Sequence, residues 1–254
     1  GMSSLGNEKA KELLAAGAIG TLNYAEGFWA RNSAFGAWQY PIPDDASTQT
    51  VDWEKYISIS EDRPFDPLRF FRWRNYLDYG TGMAGDLFVH LFSSLHFITN
   101  SYGPNKIAAT GGLRHWDDGR EVPDTKQHPA FNLSLRCNFV DGTSGSTFLK
   151  LVGSKGSMDI AWDSLTLKRN AGGESDDPFL AEKAKEESGR PDRKKLVPPL
   201  ETIYKAQNGY KGAHYDHFAN FFTAIRENGS VAEDPVFGFR AAAPALLCNE
   251  SYKK

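Results

Sequence analysis

Beyond Gly103-Pro104 the hydrophobic pattern changes period, and this change restricts the fold more than any other feature of the chain. The stretches Lys106–Leu113, Phe131–Val140, Thr143–Val152, Ser157–Trp162 and Leu165–Arg169 all suit strands. Short turns join them: Asp141-Gly142 is a hairpin signal, and Gly153-Ser154-Lys155-Gly156 is a second. Consecutive strands without intervening helices are not βαβ alternation. They predict an α+β fold with a mostly antiparallel sheet.

The helical pieces flank this run. Glu8–Ala16 reads as a short helix with Asn7 as its N-cap, closed by Gly17 and Gly20. Thr21–Ala30 reads as a strand, and residues 31–66 as a long covering loop. Met83–Thr99 carries a helical stripe of Leu87, Leu91, Leu95 and Ile98. Ala213–Glu227 puts Phe218, Phe221, Phe222 and Ile225 on one face, and Val236–Tyr252 is a helix kinked at Pro244. Residues 170–195 are charged and Gly-rich and read as a solvated excursion. No repeat and no second core is visible, so residues 1–254 are expected to form a single domain. Gly1 ahead of Met2 reads as the scar of a removed tag.

Composition narrows the function classes. A formal net charge of -3 lacks the basic excess of a nucleic-acid surface. No apolar run approaches the ~20 residues of a membrane helix. Two cysteines, Cys137 in a strand and Cys248 in the last helix, make no disulfide framework and read as free thiols. His214 and His217 are three apart at a helix start, without a carboxylate or thiol to complete a metal set. Asn132-Leu133-Ser134 has glycosylation spacing but falls inside a strand.

The most chemical stretch is Gly80-Thr81-Gly82-Met83-Ala84-Gly85-Asp86-Leu87-Phe88-Val89-His90. Its first six residues fit G-x-G-x-x-G, yet the bulky, charged residues before it are no buried strand, so the dinucleotide context is missing. Asp86 and His90, four apart on a helix, stand roughly 40° apart around its axis. Such a pair is often only a local contact worth a few tenths of a kcal/mol. It can also be a base and its partner, because imidazole titrates near ~6.5, close to working pH. Arg72, Trp73, Arg74 and Tyr79 precede the glycines, and guanidinium with aromatic groups suits a sugar's hydroxyls and apolar faces.

Four segments together resemble the C-terminal domain of the glucose–fructose oxidoreductase / inositol dehydrogenase / MocA (Gfo/Idh/MocA) family. They are Asn7 to Gly20 with its G-x-[IL]-G ending, Gly82 to His90, Phe139 to Gly156 with its G-[ST]-x-G turn, and His217 to Ser251. The resemblance implies a large open sheet with helices packed on one face. It implies His90 as catalytic base and Asp86 as its partner or a substrate ligand, although Phe88 stands where the common D-x-G-x-H has glycine. It implies a sugar or polyol substrate and a homo-oligomer formed through the open sheet face; Arg72, Trp73, Arg74 and Tyr79 are substrate-contact candidates on their chemistry alone, with loop packing as the alternative. NAD or NADP would belong to a Rossmann domain in the full-length protein. This chain resembles the family's second domain without that first one or its Glu-Lys-Pro segment, so the expectation is no tight cofactor binding and no turnover alone. The rival expectations are a non-catalytic carbohydrate-binding or oligomerisation module, and an NAD-dependent glycosidase.

Overall fold

A computed structural model describes residues 2–122, 125–130, 133–142, 147–169 and 200–253. In chain order the elements are α1 (Leu5–Ala15), β1 (Leu22–Ala30), α2 (Trp53–Tyr56), α3 (Pro67–Phe71), a 3₁₀ turn (Trp73–Asn75), a π-helical turn (Ala84–Phe88) and α4 (Val89–Thr99). Then follow β2 (Thr110–Gly112), β3 (Thr125–Ala130), β4 (Leu133–Asn138), β5 (Thr147–Gly153), β6 (Gly156–Ile160), β7 (Ser164–Arg169), β8 (Leu200–Lys205), α5 (Ala213–Glu227) and α6 (Pro235–Lys253). The class is α+β, with an open, mixed but mostly antiparallel sheet, as the strand run predicts. Among the described residues, no helix is long and apolar enough to cross a membrane. The expected excursion at residues 170–195 and the Asn132 sequon lie outside the described residues.

The chain forms two compact units. The first comprises Gly1–Glu26, Ser93–Tyr102 and Phe148–Gly238. Here β5, β6, β7 and β8 pair antiparallel in order, with Leu151 opposite Met158 and Met158 opposite Leu167. Those three side chains are buried, which is the period-2 signal of the sequence made physical. α1 begins three residues earlier than expected. Its cap is Ser4, whose hydroxyl accepts from Asn7 N–H at 3.3 Å. Asn7 is instead a buried helical residue whose Nδ2 donates to Ser94 Oγ at 3.0 Å. A polar side chain can cap a helix or tie it to a neighbour, and the sequence alone does not say which.

α5 matches its expected span, but its orientation is a surprise. Ala213 and Ala224 are buried, and His217 and Asn220 reach Ser3 Oγ at 3.2 Å each. The apolar stripe of Phe218, Phe221, Phe222 and Ile225 is therefore turned outward, 60%, 46%, 47% and 62% exposed.

The second unit comprises Gly27–Phe92, Gly103–Thr147 and Phe239–Lys254. β2, β3 and β4 pair antiparallel. β3 escapes the sequence reading because Thr125–Ala130 mixes Lys, Gln, His and Pro without alternation. β4's other neighbour is β1, where Gly27 lies against Leu135 and Arg31 N–H donates to Asn138 O at 2.8 Å. Both registers advance together, so this pair is parallel. The Asp141-Gly142 hairpin is thus corrected. β4 neighbours β3 and β1, while β5 neighbours β1 and β6, so the strands flanking Asp141-Gly142 do not pair with each other. A distant strand occupies the place that a local turn signal would assign to the next one.

Gly27 shows how α4 is seated. A Cβ there would meet both Leu91 of α4 and Leu135 of β4 within about 3 Å. The missing side chain lets the first turn of α4 lie directly on the strand pair, and Leu91 is buried. Cys137 and Cys248 are both buried free thiols, and burial pushes the Cys137 thiol well up.

Candidate functional site

The segment from Arg69 to His90 is held by a polar network that the sequence does not reveal. Glu121 is its anchor. Its carboxylate accepts from Leu77 N–H at 2.9 Å and from Arg69 Nη2 at 2.7 Å, while its own N–H donates to Asn75 O at 2.9 Å. Burial alone would raise the Glu121 carboxyl, but these donors hold it below the usual carboxylate range. Arg69 also bonds Asp78 at 3.1 Å and lies 4.3 Å over the Tyr76 ring. Asn249 Nδ2 donates to Thr81 O at 2.7 Å. The glycine turn is therefore fastened on both sides.

Gly82 has φ +61° and faces Val122, a left-handed position that a side chain would strain. It leads into the π-helical turn Ala84–Phe88, which carries Asp86. His90 lies just beyond it, in α4. The expected 40° offset belongs to an unbroken α-helix. A π turn closes i→i+5 bonds and shifts the register of everything after it, so that offset does not hold here. Such turns within α-helices recur at functional sites.

Asp86 is held from outside the helix. Arg74 Nε donates to both of its carboxylate oxygens, at 3.2 and 3.3 Å, and the guanidinium lies 4.2 Å over the Trp73 ring. Asp86 and Arg74 side chains are 28% and 31% exposed, so the pair is reachable from solvent. His90 is exposed, with its ring 5.3 Å from that of Trp29 on β1, tilted by 33°. Neither Asp86 nor His90 is sealed in hydrocarbon.

The other sequence candidates separate into two groups. Arg74 joins Asp86 directly, and Trp73 reaches it only through the Arg74 guanidinium. Arg72 turns away and donates from Nε to Tyr40 O at 2.9 Å. Tyr79 enters an aromatic cluster, 5.1 Å from the Tyr56 ring, with its hydroxyl buried. Burial and the neighbouring Tyr79 push the Tyr56 phenol up to about 12. Trp29 was missed. Its only sequence signal is its place two residues after Gly27 in an alternating strand, which puts both on one face. His214 stacks on Trp162 and His217 bonds Ser3, and no group of three metal-ligating side chains occurs among the described residues.

A separate opening, away from Asp86 and His90, lies at the end of β1. It is a cleft of about 630 Å³ lined by Ala30, Arg31, Asn32, Ser33, Phe35, Gly36, Tyr40, Asp141 and Gly142.

No protein-family model matches the sequence, and no curated protein matches it significantly. Solved structures do resemble the fold. A levoglucosan dehydrogenase solved with NADH and levoglucosan aligns over 96% of this chain with TM-score 0.62 and 15% identity. An NAD-binding oxidoreductase from Klebsiella pneumoniae aligns over 97% with TM-score 0.63 and 14% identity. An oxidoreductase from Thermotoga maritima aligns over 98% with TM-score 0.59 and 16% identity. The chain spans only 60%, 61% and 58% of those proteins. At such identities the likeness is one of fold.

Proposed function

We propose that this chain is the substrate-binding domain of an NAD- or NADP-dependent oxidoreductase of Gfo/Idh/MocA type, acting on a sugar, a polyol or a derivative. The observation that carries the reading is an exposed imidazole, His90, beside an aromatic face and just beyond a π turn whose carboxylate is clamped by an arginine. The full-chain likeness to oxidoreductases, one of them solved with a sugar derivative, supports it.

Oxidation of a hydroxyl-bearing carbon leaves a proton to be taken. In this reading His90 takes it, since its side chain is exposed and its ring lies 5.3 Å from that of Trp29. Asp86, fixed by Arg74, receives a second substrate hydroxyl as an oriented acceptor. The Arg74 clamp keeps that carboxylate aimed.

The G-x-G-x-x-G stretch lacks the strand–loop–helix setting of a dinucleotide loop. Gly80–Gly85 follows a 3₁₀ turn rather than a strand and opens a π turn rather than a regular helix. The reading therefore assigns NAD or NADP to a domain of a longer protein, and no step here runs through it. Association of copies through the open sheet face belongs to the same reading.

The test uses the protein joined to its cofactor domain, with a sugar panel followed by absorbance of reduced nicotinamide. His90→Ala is expected to lower kcat/KM by about 10²–10⁴-fold, with an unchanged circular dichroism spectrum. A variant that turns over at the wild-type rate would remove His90 from the mechanism.

A further inference from the structure

The cleft at the end of β1 is a built feature. Its wall is the loop from Asn32 to Tyr40, and this loop contains Trp38, a non-glycine residue with φ +66° that is 1% exposed. Left-handed backbone at a bulky residue is costly, of order 1–3 kcal/mol, and persists only where its surroundings enforce it. Two contacts enforce it here. The Trp38 indole packs edge-on against Phe139 at 4.9 Å. Behind the loop, the buried Arg120 guanidinium donates to Ala37 O at 2.9 Å and to both oxygens of Asp118 at 2.8 Å, and Gln39 Nε2 donates to the same carboxylate at 2.8 Å. Burial works against the Asp118 charge, yet these donors hold its carboxyl below the usual range.

What this frame presents is chemically specific. Phe35 stands 70% exposed on the strained loop, with its ring 4.9 Å from that of Tyr40. Around them the cleft offers Arg31, Asn32, Ser33 and Asp141. Exposed Phe35 beside half-buried Tyr40, in a cleft with polar side chains in its lining, matches a saccharide, which has apolar C–H faces and hydroxyls at its edge.

The cleft is also in line with His90. Trp29, which touches His90, lies near the end of β1, and Arg31, which lines the cleft, is two residues on and just past the strand, so that in extended backbone the two share a face, roughly 7 Å apart. Arg31 keeps that line beyond the strand end, because its N–H donates to Asn138 O and its carbonyl accepts from Asp141 N–H.

We infer that this cleft is a second sugar subsite, so that the chain takes a glycoside or oligosaccharide whose terminal ring meets His90 and whose next ring rests on Phe35 and Tyr40. The inference rests on the reading of His90 given above, but its test separates the two.

The chain is titrated with glucose, cellotriose and maltotriose, and the aromatic side-chain resonances are followed by NMR. A trisaccharide is expected to shift Phe35, Tyr40 and Trp29 signals together, and to bind more tightly than glucose. Phe35→Ala, at a side chain too exposed to threaten the fold, should reduce the trisaccharide's advantage over glucose about five- to ten-fold. His90→Ala should leave the Phe35 and Tyr40 shifts in place. If that variant keeps them while the joined enzyme is indifferent to His90, the subsite stands and the base assignment falls. If glucose or a trisaccharide moves Trp29 but never Phe35 or Tyr40, the subsite is wrong and the His90 reading survives. It is also overturned if no sugar moves the Phe35 and Tyr40 signals, or if Phe35→Ala leaves the trisaccharide-to-glucose ratio unchanged.

Discussion

α4 and α5 carry the same kind of apolar stripe and use it in opposite ways. Leu91, Leu95 and Ile98 of α4 are 4%, 2% and 3% exposed, whereas the Phe218, Phe221, Phe222 and Ile225 face of α5 points to solvent. α5 turns its small and polar side inward instead, with Ala213 and Ala224 buried and His217 and Asn220 on Ser3. Periodicity reports that one side of a helix is apolar. Which side is covered depends on what stands next to it. α4 has Gly27 beneath it, a gap that invites a leucine, and among the described residues no glycine is recorded against the phenylalanines.

Breaking the contrast begins with the groups that are both charged and buried. Asp118→Ala leaves the Arg120 guanidinium enclosed without its carboxylate and should cost about 3–5 kcal/mol, read as a fall in the urea midpoint. Next come the α4 leucines. Leu95→Ala should cost about 2–5 kcal/mol in the same assay, against less than about 1 kcal/mol for Phe222→Ala on α5. Equal losses at the two helices would mean that the α5 face is covered in solution.

Acid offers a gentler probe. Asp118 and Glu121 have folded-state values below their unfolded ones, so their contribution is intact above the unfolded carboxylate range of ~4 and drains away as pH falls through the lower folded values. Stability followed by fluorescence should therefore drop below about pH 4, and Glu121→Gln should flatten part of that drop. The smallest effect is expected at the surface. Phe218→Lys combined with Phe222→Lys should leave the unfolding midpoint nearly unchanged while abolishing most binding of a hydrophobic dye.

Several features were legible in the residues because local chemistry decides them. The strand run, the α5 span and the α4 stripe all follow from pattern within a few turns of chain. What was hidden depends on partners far away in sequence. Ser4 caps α1 because Asn7 is engaged by Ser94. β1 enters beside β4 although a turn signal favoured the next strand. Asp86 is bound by Arg74 rather than simply paired along its own helix, and Trp29 reaches His90 from another element. For the candidate site, sequence supplied Asp86, His90, Trp73 and Arg74. It did not supply the π turn, which no residue type announces.

The π turn at Ala84–Phe88 makes the direction of His90 a matter of residue count. Winding the same residues as regular α-helix would close that wide turn. Every later side chain would then swing by roughly 100° about the axis. A protein with the turn tightened in this way could keep its fold and still aim its imidazole at the wrong neighbour.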